Sequence, residues 1–504
     1  MILMITKKDK KRYYIIGIGG VAMGNLAKLL KQKGHKVAGS DQEAMYEPMK
    51  GVLHNLKIKI FSPYNALHVK RYRPDIIVVG NAISRGNLEL EYAMSNGHIY
   101  RSVSDILREE FIDPPVGKIG GKKAIVVAGT HGKTTTSALI AWILEYVGYD
   151  PTIFVGGVIR GFPPKKDRPS ADMRNFSGGA KLGKGKYIVI EGDEYNTAFF
   201  DKNPKIYGYR PYIGIVNNIE LDHIDIYKDM EQLKDAFAIF TKQIPLNGLL
   251  VFNADNIGSY NLLPSKKEGK KIWGNNKKHP QIITFGIKHG DYLASNIKIG
   301  SIMTFHVKYK GRHVSDISSR LIGSHNVSNI LAAISVAGFL GIPKTKTIEA
   351  ISCFTGVKRR MEIISEANGI TVIDDYAHHP TAVYSTISAI RSSFHGKRII
   401  VVFEPGSASS KKRVFEDQYF NAFLSADTVL IYKPYRAESM KSTERFSGKK
   451  VANRLNDAGI TSKYFDNVDK LMFHVKSIAR SGDIVLVMSC RGFDGLREKL
   501  IDGL

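Results

Sequence analysis

Gly129-Thr130-His131-Gly132-Lys133-Thr134-Thr135 follows an unbroken apolar run over 124–128 and leads straight into an amphipathic segment of helix length. This order of strand, glycine turn and helix decides the fold class. A short, wholly apolar run bounded in this way predicts a strand buried on both faces of a parallel sheet. Glycines let backbone N–H groups turn toward phosphate oxygens, and the N-terminus of the following helix adds partial positive charge. Lys133 supplies a full charge, and the Thr134 hydroxyl is placed to hold a Mg²⁺ ion between the outer phosphates. The usual loop has its first glycine five positions before the Gly-Lys pair, where this chain has Val127. The setting between a buried strand and a helix favours phosphate binding over a structural turn. All seven residues are therefore expected to contact a nucleotide.

Working outward, an apolar strand over 187–190 ends in Glu191-Gly192-Asp193-Glu194. A carboxylate at the carboxyl end of a strand beside a phosphate loop suits Mg²⁺, a hard cation that takes oxygen ligands. The bland alternative is a solvated acidic turn. A strand over 213–216 leads into Asn217-Asn218-Ile219-Glu220-Leu221-Asp222-His223-Ile224-Asp225. His223 alone would be a structural histidine; within this cluster of amide, carboxylate and imidazole it is read as functional, a metal ligand or a phosphate contact. A strand over 370–373 ends in Asp374-Asp375-Tyr376-Ala377-His378-His379-Pro380, with a helix starting near Pro380. Asp374 suits ribose hydrogen bonding, and His378 suits positioning near a transferring phosphoryl group. Just upstream, Lys358-Arg359-Arg360 offers guanidinium groups, Arg359 among them, for phosphate charge.

The first block carries a second glycine turn. A strand over 13–18 runs into Gly17-Ile18-Gly19-Gly20-Val21-Ala22-Met23-Gly24, a helix continues to about residue 33, and a strand over 36–39 ends at Ser40-Asp41. That pattern fits a dinucleotide site, yet a glycine turn at a helix N-terminus binds any pyrophosphate. Apolar runs alternate with amphipathic segments throughout, which predicts three α/β domains. Their limits are set at 1–116, 117–355 and 356–504. The first and last are expected to be Rossmann-like, and the central one a P-loop domain.

Composition narrows the classes further. With 504 residues, 43% hydrophobic and 24% charged, the chain can bury several cores. Its two cysteines, Cys353 and Cys490, have no ligand-like spacing, which favours a reducing, cytoplasmic setting. No stretch approaches the roughly 20 apolar residues of a membrane helix. The residues from Met1 to Tyr14 run apolar then basic, the reverse of a secretory signal. A net charge of +26 favours anionic partners, but the basic runs are scattered and lack interleaved aromatics. They read as solvated surface, with neither nucleic acid nor membrane as partner. A nucleic-acid-stimulated NTPase and an idle nucleotide-dependent scaffold remain as rival classes.

Taken together, these motifs resemble the Mur ligases over nearly the whole chain. The phosphate loop, Glu191 with Asp193-Glu194, and Asn218 with Asp222-His223 come in family order. Gly323-Ser324-His325-Asn326 with Asn329, then Arg359-Arg360, then the segment from Asp374 to Pro380 complete the series. The resemblance implies an ATP-dependent ligase that uses Mg²⁺ and forms an amide bond on UDP-N-acetylmuramate. It implies catalytic roles for Lys133, Glu191, His223 and His378, with Thr134, Glu191 and His223 on the metal. Asn326 and Asn329 become adenine contacts, with helix capping and packing as the alternative. The first glycine turn becomes the UDP cradle, through Gly17, Gly19, Gly20, Met23, Gly24 and Asp41. A folyl-polyglutamate-type ligase would share the phosphate loop but lack this first domain.

Two members of the family use UDP-N-acetylmuramate itself: one adds L-alanine, the other L-alanyl-γ-D-glutamyl-meso-diaminopimelate. The stretch from Glu191 to Lys202, with Tyr195 and Phe199-Phe200-Asp201-Lys202, looks like the tripeptide-adding member, which works in cell-wall recycling. Ala180-Lys181-Leu182-Gly183-Lys184-Gly185 and Gly492-Phe493-Asp494-Gly495-Leu496 look the same way. The chain is expected to act as a monomer or homodimer. It departs from the family at Glu404-Pro405-Gly406-Ser407, where an arginine able to meet a substrate carboxylate is missing. A second departure is Met488-Ser489-Cys490, where the family has asparagine at the third position.

Overall fold

The computed structural model describes residues 10–42, 49–114, 121–161, 178–222, 226–266, 269–270, 273, 278–438 and 440–504. Three sheets follow one another along the chain, besides a short hairpin of Asn196–Ala198 with Asp201–Pro204. The first sheet is parallel, in the order Lys59–Phe61, Lys36–Ser40, Arg12–Ile16, Ile76–Val79, Tyr100–Arg101. Strand order reverses at Arg12–Ile16, so the turn that follows it opens onto the crevice where such sheets take ligands.

The central sheet has ten strands. Its parallel heart runs Gln281–Gly286, Leu249–Asn253, Pro211–Val216, Lys123–Ala128, Tyr187–Glu191, Thr152–Phe154. Alternate residues of Lys123–Ala128 enter different cores, as the two-residue period of a strand requires. Ile125 and Val127 pack with the helices Lys133–Tyr146 and Ser324–Phe339. Ala124, Val126 and Ala128 face a core shared with Ile15, Leu26 and Phe111 of the first sheet's layer. Both faces are covered, which is why this run tolerates no polar residue. Trp142 ties the helix Lys133–Tyr146 to Lys344–Cys353 by donating Nε1–H to the Ala350 carbonyl at 2.8 Å.

One edge of this sheet departs from the parallel pattern read in the sequence. Tyr292–Lys298, Met303–Tyr309 and Arg312–Ser319 form an antiparallel meander, and Ala180–Lys181 pairs antiparallel at the other edge. The last hairpin of the meander turns through Lys310 and Gly311, with φ of 48° and 80°. Two consecutive left-handed residues match the twist of the flanking strands.

The third sheet runs Glu362–Ala367, Ile370–Asp375, Ile484–Met488, Ile399–Phe403, Thr428–Tyr432, Thr461–Phe465, antiparallel only in its first pair. Pro380 opens the helix Pro380–Ser393 at a position where its missing N–H costs nothing. Among the described residues no helix is long and apolar enough to cross a membrane.

Candidate active site

The carboxyl ends of three neighbouring central strands meet at a cavity of about 1020 Å³. Lys123–Ala128 delivers the glycine loop, Tyr187–Glu191 delivers Glu191, and Pro211–Val216 delivers Asn217 and Asn218. Gly129 and Gly132 hold φ of +133° and +78°, which side chains rarely adopt. A Cβ on Gly132 would stand 2.5 Å from Asn329 Oδ1 and 3.0 Å from Asn217 Nδ2. The helix Lys133–Tyr146 begins without a side-chain cap, which leaves its first N–H groups available to an anion. Thr130 Oγ1 donates to the Glu220 carbonyl at 3.0 Å, and His131 N–H donates to Asn218 Oδ1 at 2.7 Å. Thr135 is buried and also lines the cavity.

Lys133 is enclosed by the loop it belongs to. Its ammonium donates to the Gly129 and Thr130 carbonyls at 2.6 and 3.1 Å, and to both oxygens of Glu194 at 3.0 and 2.9 Å. Burial pulls its pKa down, but Glu194 and Asp193 outweigh that and hold it above the ordinary lysine value. The charge is therefore kept, with a carboxylate only 1% exposed as its partner.

Thr134 Oγ1 donates to Glu191 Oε1 at 2.7 Å, and Gly156 N–H donates to Glu191 Oε2 at 2.6 Å. Arg360, from the third domain, donates Nη2–H to Thr134 Oγ1 at 3.0 Å. A hydroxyl and a carboxylate so close together make an all-oxygen pair that fits Mg²⁺. His223, read as the third ligand, lies outside the described residues. A different group forms next to the loop: His131, Glu220 and His379 each bring one ligand atom within 4.8 Å of the others. Two imidazoles and one carboxylate suit a borderline cation better than Mg²⁺. Here His131 Nε2 lies 3.3 Å from Glu220 Oε2, and His379 accepts from Thr381 N–H as the cap of the helix Pro380–Ser393. Burial raises the Glu220 pKa, but the hydrogen bond from His131 outweighs it and holds the carboxyl below its ordinary range.

The third domain contributes the opposite wall. Burial pushes His378 down to about 4 against the pull of Asp222, and His325 is pushed to about 4 by burial and then by Arg360. His378 Nδ1 meets the Tyr376 carbonyl at 3.1 Å, which leaves Nε2 as the lone-pair nitrogen of the neutral ring. Asp375 accepts from Ala377 N–H and Met361 N–H at 2.7 and 2.8 Å, tying the two loops of this wall together. Ser409 Oγ donates to Asp222 Oδ1 at 2.7 Å, across the junction with the central domain.

The structure brings many of the predicted site residues together. Lys133, Thr134, Glu191, His378, Asn326, Asn329, Arg359 and Asp374 all line the one cavity. Asn326 and Asn329 spend their amides inside the protein: Thr136 Oγ1 donates to Asn329 Oδ1, Asn329 Nδ2 to Asn326 Oδ1, and Asn326 Nδ2 to the Ile322 carbonyl. Asp374 is held by Arg497 at 2.7 Å and Arg359 at 3.5 Å. Arg359 also donates to the Ser489 and Arg491 carbonyls, so Arg360 is the guanidinium that reaches Thr134. Left-handed backbone at Arg359 and Met361 (φ 59° and 50°) sets the direction of each side chain, which no sequence period foretells.

The first domain reaches the cavity through Val21, Ala22, Met49 and Val103. Its turn is braced from within: Gly17 and Ile18 N–H donate to the Ser40 carbonyl, and Gly19 N–H donates to Asp41 Oδ2 at 2.9 Å. Gly17 is left-handed (φ +81°), and a Cβ on Gly24 would stand 2.5 Å from Met49 Sδ. Gly20 caps the helix Val21–Gln32 with no side chain of its own. Met23, 6% exposed, points into the core beneath the turn.

Comparison with known proteins bears on this geometry. Three family descriptions match in succession: the Mur ligase family catalytic domain at 12–111, the Mur ligase middle domain at 127–337, and the Mur ligase glutamate ligase domain at 359–491. The chain is 34% identical to the UDP-N-acetylmuramate:L-alanyl-gamma-D-glutamyl-meso-2,6-diaminoheptandioate ligase of Escherichia coli (strain K12), covering 98% of both chains. It is also 34% identical to the UDP-N-acetylmuramate:L-alanine ligase of Desulforapulum autotrophicum, covering 97% of this chain and 98% of the other. A crystal structure of a murein peptide ligase from Psychrobacter arcticus 273-4 superposes with a TM-score of 0.71 at 31% identity, covering 98% of each.

Proposed function

This chain belongs to the Mur ligase family of ATP-dependent amide-bond ligases, and we propose that it joins UDP-N-acetylmuramate to L-alanyl-γ-D-glutamyl-meso-diaminopimelate. The observation that carries the ligase reading is a cavity into which all three domains project. In the proposed reaction an oxygen of the lactyl carboxylate attacks the γ-phosphorus of ATP, its bond to the bridging oxygen breaks, and ADP leaves. The peptide amine then attacks the acyl carbon, and inorganic phosphate and a proton depart as the amide forms. An unactivated carboxylate resists the amine because it is anionic and has no good leaving group. Lys133 and Arg360 would offset the negative charge that gathers as two anions meet, the term that dominates such catalysis. Bound Mg²⁺, held by Thr134 and Glu191, would neutralise phosphate charge. With a pKa of about 4, His378 is a hydrogen-bond acceptor that orients the amine rather than a strong base.

The domain limits proposed with this reading are 1–116, 117–355 and 356–504, with the UDP cradle in the first and the acceptor in the third. For the peptide over L-alanine, support comes from the stretch from Glu191 to Lys202, which contains Phe199-Phe200. Those rings lie 6.3 and 5.1 Å from Tyr100, joining this stretch to the first domain. The equal identity to an L-alanine ligase keeps a second reading in play, in which L-alanine is the acceptor. Phosphate release and product mass with each acceptor decide between them. The proposal expects turnover with the tripeptide alone, and turnover with L-alanine alone would overturn it.

A further inference from the structure

The two departures from the family pattern, at Gly406 and in the segment after Met488, meet in space. Strands Ile399–Phe403 and Ile484–Met488 pair in parallel with Phe403 opposite Met488. Beyond them, Glu404-Pro405-Gly406 and Ser489-Cys490-Arg491 run side by side at the carboxyl edge, where α/β sheets take their ligands. A Cβ on Gly406 would stand 2.8 Å from Arg491 Cγ and 2.9 Å from Cys490 Sγ. The space a side chain at 406 would fill is thus taken by Arg491.

Arg491 is anchored at its stem and open at its tip. Its Nε–H donates to the Gly406 carbonyl at 3.1 Å, and its guanidinium lies 5.2 Å from the Tyr435 ring centre. Tyr435 is itself held by its N–H on the Pro405 carbonyl at 3.0 Å. The two terminal nitrogens of Arg491 hydrogen-bond no group among the described residues, and the residue lines the junction cavity. Lys411 feels this charge: burial lowers the lysine pKa first and Arg491 lowers it further, against an opposing pull from Cys490 and Glu438. Among the described residues neither cation makes a direct ion pair, although Glu438 acts on Lys411 and Arg491 acts on the buried Glu404. A guanidinium at the cavity edge with both terminal nitrogens open makes a site for an anion.

We propose that Arg491 binds a carboxylate of the incoming amine-bearing peptide, and that residue 406 is glycine to seat it. The guanidinium absent from 406 is delivered instead from the neighbouring strand end. A planar guanidinium with both terminal nitrogens open matches a carboxylate in two parallel hydrogen bonds. The inference rests on the proposed peptide acceptor, which carries several carboxylates.

The test is steady-state kinetics of the full chain with ATP, Mg²⁺, UDP-N-acetylmuramate and tripeptide. Arg491→Gln is expected to raise the peptide KM about 10- to 100-fold, the worth of a charge-assisted pair, while KM for ATP and kcat change little. Arg491→Lys recovers only part of this. The exchange G406R/R491G is expected to recover most of it, while G406R alone collides with Arg491 and weakens peptide binding. An unchanged peptide KM in Arg491→Gln overturns the inference. Should wild type turn over L-alanine alone, the peptide reading falls, and the alanine KM of the same variant decides Arg491 separately.

Discussion

Lys133 shows how one residue ties stability to chemistry. Its ammonium balances Glu194, a carboxylate with almost no access to water. Lys133→Met is expected to cost at least about 100-fold in kcat, as removal of a single electrostatic contact does elsewhere. It also removes the lysine from a buried carboxylate, a loss of up to about 3–5 kcal/mol that a thermal melt would register. The double variant Lys133→Met/Glu194→Gln should regain most of that stability and none of the activity. A double variant that stayed as unstable as the single one would show that the pair is not what holds the loop. The adjacent arginines separate in the same way. Arg360→Lys is expected to lower kcat about 10-fold or more through its contact at Thr134, with peptide KM little changed. Arg359→Lys should instead loosen the third domain, through its bonds to Ser489 and Arg491, and appear in the melt. The sequence made the Arg359-Arg360 pair stand out but could not rank its members, because side-chain direction depends on left-handed backbone at Arg359.

At the level of the element, the loop between Ile370–Asp375 and Pro380–Ser393 sets a pH dependence. His378 is held near 4 in the fold, against about 6.5 in an unfolded chain. Between those values the unfolded chain binds the extra proton, so its contribution to stability is whole above pH 6.5 and is lost as pH falls toward 4. Melting temperatures of wild type and His378→Gln should therefore converge, or cross, as the buffer is taken from pH 7.5 to 4.5. A constant gap would mean that His378 does not titrate in this way. Elements of this kind were legible because β-branched runs such as 370–373 and continuous apolar runs such as 399–403 mark strands buried on both faces. The antiparallel meander of 292–319 was less so. Its signal was the alternation in Met303–Tyr309 and the Lys310-Gly311 turn, short cues set within a chain of parallel strands.

On the scale of the whole molecule, three sheets turn their carboxyl edges toward one cavity, so each domain supplies what the others lack. The central domain holds the phosphate loop and Glu191. The third contributes Arg360, His378 and Arg491, and the first presents the start of the helix Val21–Gln32. The order of the domains was legible in the sequence, since each glycine turn and acidic loop follows its own apolar strand. How the domains join was not, because contacts such as Ser409 with Asp222 link residues 187 positions apart and leave no local pattern. The central claim is that the lactyl carboxylate is activated by phosphorylation and then captured by the peptide amine within this cavity. Its most direct test uses UDP-N-acetylmuramate labelled with ¹⁸O in that carboxylate, with ATP, Mg²⁺ and tripeptide. The account predicts a ligated product together with one ¹⁸O atom in each inorganic phosphate released. Ligated product with unlabelled phosphate, or phosphate release without ligation, would contradict it.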